Sequence, residues 1–226
     1  MATVAEELYG AGEDAIDLLA RHLYLGEAGD RAIEYLRRAG ERSKRLYANQ
    51  EAILHFKRAA ELMPSDPEIR LELADLYELV GDYEEALRLY EDERRETNDV
   101  RAWRGLASTH RKRGEYGQAL DVVELAFRSE GLRGEDLTPL WLEQAWTLSV
   151  AGRFEQAIDV LEAGLAAEPT RRDSVVGHML LQLARAETIE GHFDMALSHG
   201  LKAQDIFDGL EDLRGLSTAK RIFHRL

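Results

Sequence analysis

An all-α fold, a solenoid of stacked helical hairpins, is what this sequence predicts, and three observations predict it. Apolar residues recur at the 3.6-residue helical period, in pairs of stripes parted by a glycine. That pair of stripes returns along most of the chain. Residues that break helices or favour strands are scarce: only four prolines interrupt 226 residues, and β-branched residues are sparse.

The clearest unit runs from Asp66 to Asn98. Asp66-Pro67 is a helix start, a capping carboxylate followed by a proline whose missing N–H costs nothing at the first helical position. Ile69, Leu73, Leu76, Tyr77 and Val80 then form one stripe. Gly81 ends that helix, because glycine takes the left-handed conformation that closes a helix C-terminus. Tyr83, Ala86, Leu87, Leu89 and Tyr90 give the second helix its stripe. The small residues Ala74 and Ala86 mark the expected point of closest approach.

This grammar recurs. Gly81-Asp82-Tyr83, Gly114-Glu115-Tyr116, Gly152-Arg153-Phe154 and Gly191-His192-Phe193 share a glycine, a polar residue and an aromatic. Five residues after each glycine stands an alanine: Ala86, Ala119, Ala157 and Ala196. Eleven residues before it stand Arg70, Trp103, Trp141 and Leu180. The glycines are 33, 38 and 39 residues apart, so the longer intervals carry loop insertions at Gly131–Asp136 and near Pro169–Asp173. A helix–turn–helix unit recurring every ~34 residues resembles the tetratricopeptide repeat. The resemblance implies a right-handed superhelical solenoid of about five repeats. Arg70 and Leu180 depart from it where a bulky aromatic is usual, as does Glu93 where a small residue is usual. Looser inter-helix contacts are expected there.

The expected organisation is residues 1–30 as irregular N-terminal helices, 31–208 as the solenoid, and 209–226 as a C-terminal helix. The repeats are read at 31–64, 66–98, 100–131, 138–169 and 175–208. A short helical pattern in Met1–Gly12 stops at Gly10-Ala11-Gly12. Helices follow over Glu13–Gly26, Arg31–Tyr47 and Asn49–Met63, with Ala48-Asn49-Gln50 in place of a glycine turn. Ala20–Leu62 also resembles the start of the helical-repeat region in large bacterial signalling regulators of the ATPase, adenylate-cyclase or transcription-factor type. That resemblance implies a regulatory segment of a longer protein and no catalysis here. The last helix, Leu213–Leu226, has no second helix to pack on, so Leu216, Ile222, Phe223 and Leu226 are expected to be exposed. It is either a cap or the start of a further repeat.

Composition excludes several functions. No cysteine is present, which removes disulfides and thiolate metal sites. A net charge of −14 argues against nucleic-acid binding by this segment. No apolar run has the length of a membrane span, and the acidic N-terminus is no signal peptide, so a cytoplasmic location is expected. The seven histidines are scattered without metal-ligand spacing. Gly10-Ala11-Gly12 lacks the strand and lysine of a phosphate loop, and no serine sits in a nucleophile elbow. The chain is read as no enzyme, with no cofactor and no metal.

In solenoids of the resembled class, the first helix of each pair lines a concave groove. Residues thirteen, ten, six, three and two before each turn glycine face it. These positions hold Glu68, Leu71, Asp75, Glu78 and Leu79, then Arg101, Arg104, Ser108, Arg111 and Lys112. Leu142, Trp146 and Ser149 follow, then His178, Leu181, Arg185 and Thr188. From Arg101 to Arg113 there is no acidic residue. One reading docks an acidic or C-terminal peptide on Arg101, Arg104, Arg111, Lys112 and Arg185, with Trp146 as an aromatic anchor. The other pairs those arginines with Glu68, Asp75 and Glu78 of the neighbouring helix. A carboxylate clamp is weaker, since Ser108 stands where an asparagine is wanted. Trp103 and Trp141 belong to the core. The expected function is a protein-interaction or regulatory module of a bacterial signalling protein, its partner a peptide or another domain of the same parent. The alternative is a structural spacer or homodimerisation module.

Overall fold

The computed structural model describes residues 15–26, 29–132 and 137–223. The pattern in Met1–Gly12, most of the Gly131–Asp136 insertion, His224, Leu226 and the side chains of Ile222 and Phe223 lie outside the described residues. Twelve helices and no strand occur among the described residues. They are α1 (Ile16–Leu25), α2 (Asp30–Arg45), α3 (Asn49–Leu62), α4 (Pro67–Val80), α5 (Tyr83–Thr97) and α6 (Val100–Lys112), followed by α7 (Tyr116–Arg128), α8 (Thr138–Val150), α9 (Phe154–Ala167), α10 (Ser174–Glu190), α11 (Phe193–Gly209) and α12 (Leu213–Phe223). The described residues form two compact units, one up to Gly105 and the other from Leu106, each built of helices paired through short turns.

The turns explain the pairing. Gly81, Gly114, Gly152 and Gly191 all have positive φ, between 76° and 86°. After each, the next residue's N–H donates to a carbonyl five residues back, as Asp82 does to Tyr77 and His192 to Glu187, at 2.9 and 2.8 Å. This arrangement satisfies carbonyls that the helix end leaves free. Two further turns copy it without glycine. Ala48 N–H donates to Ser43 with Tyr47 at φ 59°, and Asp212 N–H donates to Phe207 with Glu211 at φ 54°. The α2–α3 turn therefore closes at Tyr47, not over Ala48-Asn49-Gln50, and Asn49 already belongs to α3.

In the first unit, Asp66 caps α4 by accepting from the Glu68 and Ile69 amides at 2.9 and 3.2 Å. Ile69, Leu73, Ala74, Leu76 and Tyr77 of α4 are buried, as are Ala86, Leu89 and Tyr90 of its partner α5. Val80, at the end of the expected stripe, is exposed. Burying each large apolar side chain contributes roughly 1.5–3 kcal/mol, which makes these faces the main source of cohesion. Trp103 is buried, donates from Nε1 to Asn98 at 2.8 Å, and lies under the Arg94 guanidinium. Arg70 and Glu93, two departures from the repeat pattern, meet each other. Arg70 Nε lies 3.2 Å from the fully buried Glu93 carboxylate, and its Nη2 lies 2.8 Å from Glu96. A large cation and an acid together fill the space that an aromatic and a small residue would fill.

In the second unit, Ala119, Ala157 and Ala196 are fully buried, so the recurring alanine is where paired helices touch. Trp141 packs on Phe127 with ring centroids 4.5 Å apart. A cluster of Val176, Leu180, Leu181, Ala203, Ile206, Phe207 and Ala219 joins α10, α11 and α12. Leu216 packs against it, contrary to its expected exposure, because Asp212 caps α12 and sets its inner face on Phe207. The Arg214 and Gly215 amides both donate to Asp212 at 3.0 Å. Gly215 permits that approach, since a Cβ there would run into the Phe207 ring. Leu213, 78% exposed, remains outside.

Candidate functional site

Two surfaces carry the residues singled out above. In the first unit, Arg101 of α6 reaches α4. Its guanidinium pairs with Glu68 at 2.9 Å, with Asp75 at 2.6 Å, and with Glu72. Glu72 also takes Lys44 of α2, and Asp75 accepts from the buried Tyr90 hydroxyl of α5. Four helices are thus tied by one charge network. Burial works against the charge on Arg101, but Asp75, Glu72 and Glu68 outweigh it and hold the guanidinium above its ordinary value. Burial likewise opposes the Glu72 carboxylate, and Lys44 and Arg101 outweigh that and depress its pKa. Burial, reinforced by Asp75, pushes the Tyr90 hydroxyl far up. Arg104, on the same helix as Arg101, is exposed.

In the second unit, Arg111 Nε binds the buried Glu143 carboxylate at 2.6 Å, and Nη2 donates to Ser108 at 3.2 Å. Its guanidinium lies 5.1 Å from the centre of the Trp146 ring, a cation–π contact that holds the indole in place. Lys112 is exposed. Trp146, 38% exposed, forms one wall of a cleft of about 550 Å³. His178, Leu181, Arg185 and Thr188 line it too, so residues far apart in sequence converge there. Leu142 and Ser149 do not line it.

Four lining residues go beyond the sequence reading: Gln182, Ile189, Thr218 and Arg221. Ile189 was within reach, two positions before Gly191 as the repeat register prescribes. Thr218 and Arg221 lie on α12, which has no turn glycine after it to set a register. Among the described residues, no cluster of three or more His, Cys, Asp or Glu could hold a metal ion. Nor is any helix among them long and apolar enough to cross a membrane.

Residues 45–92 and 80–130 each match a tetratricopeptide repeat family profile, so that stretch carries tetratricopeptide repeats. No curated protein matches the sequence. Among solved structures, a thermophilic tetratricopeptide protein of Thermus thermophilus is similar at 23% identity and TM-score 0.66. The match covers 85% of this chain and 99% of that one. MamA 41-end of Desulfovibrio magneticus RS-1 is similar at 16% identity and TM-score 0.54, over 78% of this chain and 96% of that one. A Rap protein complexed with Competence and Sporulation Factor is similar at 13% identity and TM-score 0.72, over 94% of this chain and 64% of that one. These likenesses agree on the all-helical repeat fold. Repeats of this class generally mediate contacts between proteins.

Proposed function

We propose that the chain is a non-enzymatic interaction module that holds a peptide or helix of a partner protein in the cleft of its second unit. The observation that carries this is Trp146, a large aromatic held half-open by Arg111 over a cavity of peptide-binding size. Exposed, preorganised tryptophan supplies contact area with little loss of side-chain freedom. The partner is acidic, or an acidic segment of the same parent chain, and the setting is a bacterial signalling or transcriptional regulator in the cytoplasm. Selection of random displayed short peptides on the immobilised chain tests the reading. Binders that disappear with Trp146→Ala are expected; a selection that enriches nothing contradicts it.

A second reading, self-association, is favoured by one separate observation. Phe193, Leu197 and Leu201 stand at i, i+4 and i+8 on α11 and are 56%, 46% and 50% exposed. At the third of these positions the earlier second helices carry Glu91, Glu124 and Glu162. Such an apolar stripe suits a helix of a second copy. Light scattering of the chain and of its Leu197→Glu/Leu201→Glu variant decides: a dimer converted to monomer supports this reading, and a concentration-independent monomer removes it.

A further inference from the structure

The cleft of the second unit contains a cation that the fold leaves uncommitted. Arg185 is exposed on α10, and among the described residues no carboxylate lies within ion-pair distance of it. Arg101 and Arg111, by contrast, are both taken up by acids. Arg221 on α12 lines the same cleft, and its side chain donates to the Thr218 hydroxyl at 3.3 Å. Two guanidinium groups therefore stand over one cavity, and no acid is among the residues that line it. Beside them, the buried Oε1 of Gln182 has no hydrogen-bond partner. A buried acceptor without a donor is costly, about 1–3 kcal/mol, and Gln182 is one of the residues that line the cleft. Leu181 and Ile189 supply apolar wall next to the Trp146 ring.

We infer that this cleft reads a peptide segment carrying an aliphatic or aromatic side chain close to an aspartate or glutamate. The apolar side chain packs on Trp146 and Ile189, the carboxylate is taken by Arg185 and Arg221, and a peptide N–H donates to Gln182. The inference rests on the proposed interaction function and names its recognition residues. Arginine suits this role because its planar fork meets a carboxylate through two parallel bonds. Arg111 is assigned a different task, positioning Trp146 while its charge stays with Glu143. Arg101, held by three acids, takes no part.

The test starts from the peptides selected on the full chain. Sequencing the enriched pool is expected to show an apolar residue within one helical turn of an acid. A fluorescein-labelled member of that pool is then titrated against wild type, Arg185→Glu, Arg221→Glu and Gln182→Leu. Each arginine reversal is expected to weaken binding about tenfold or more and to flatten its salt dependence. Gln182→Leu is expected to weaken it less. Arg128→Glu, at an exposed position of α7 outside the cleft, serves as control and leaves affinity unchanged. Circular dichroism melting of every variant confirms the fold. Peptides without acids, or affinities within twofold of wild type for both arginine reversals, overturn the inference. If those peptides still require Trp146, the interaction function stands and the acid recognition alone falls. A selection that yields no binder removes both.

Discussion

The first helices of the two units use the same repeat grammar to opposite ends. Around Arg101 every acid in reach is paired within the chain, and Lys44, Glu72, Asp75 and Tyr90 extend that pairing across four helices. Around Trp146 the aromatic ring is held but half-open, and Arg185 has no acid among the described residues. A closed network uses its charges for cohesion, because a carboxylate arriving from outside would have to displace Glu68, Glu72 and Asp75. An open pair of arginines, on the reading proposed above, keeps its charge for a ligand. The contrast shows that a basic run in sequence, Arg101 to Arg113, does not tell which of its cations the chain takes up: Arg101 and Arg111 are paired with acids, whereas Arg104 is exposed.

The sharpest break of this comparison is Arg101→Met. Removing one cation leaves three carboxylates facing one another in a partly buried site, so unfolding free energy should fall by about 2 kcal/mol, read by urea titration. A change below about 0.5 kcal/mol would mean that the network is ordinary surface pairing. The pH response follows from the same site. Glu72 has its folded pKa depressed below 4.5 by Lys44 and Arg101 in spite of burial. Its contribution is therefore complete above 4.5 and lost as pH falls through the lower folded value. His55 acts earlier: burial, partly offset by Asp17, depresses its pKa below 6.5. The unfolded chain then binds that proton more readily, and stability declines as pH drops below about 6.5. Melting temperature followed from pH 7 downward should show both steps, and Arg101→Met should shrink the lower one.

A smaller gain is expected from Tyr47→Gly. Tyrosine at φ 59° is strained, and glycine relieves it, for a net stabilisation of about 0.5–1 kcal/mol by thermal denaturation. Smallest of all should be Arg185→Met, which breaks no ion pair and should shift stability by less than about 0.5 kcal/mol. A large loss there would show that Arg185 is bound into the fold after all.

Most of the fold was legible because its punctuation is glycine. A residue that must take positive φ is nearly always glycine, so Gly81, Gly114, Gly152 and Gly191 announced their turns, and alanines five residues later announced the contacts. Tyr47 and Glu211 were illegible because other residues occupy the same conformation. Only the interval of 34 residues from Tyr47 to Gly81 marked the earlier one. Arg70 and Glu93 each looked like a weakness alone, yet they compensate as a pair. In the cleft, the register found Trp146, Leu181 and Arg185. It could not tell which arginine was free, since Glu143 and Glu72 reach their cations across helices rather than along the chain. Thr218 and Arg221 depended on how α12 packs upon Phe207, and no local pattern records that.

Amide hydrogen exchange with and without a selected acidic peptide tests the contrast most directly. Slowed exchange is expected in α8, α10 and α12 around Trp146, Arg185 and Arg221, with α4 and the start of α6 unchanged. Protection centred on Glu68–Asp75 and Arg101, with none around Trp146, would contradict it.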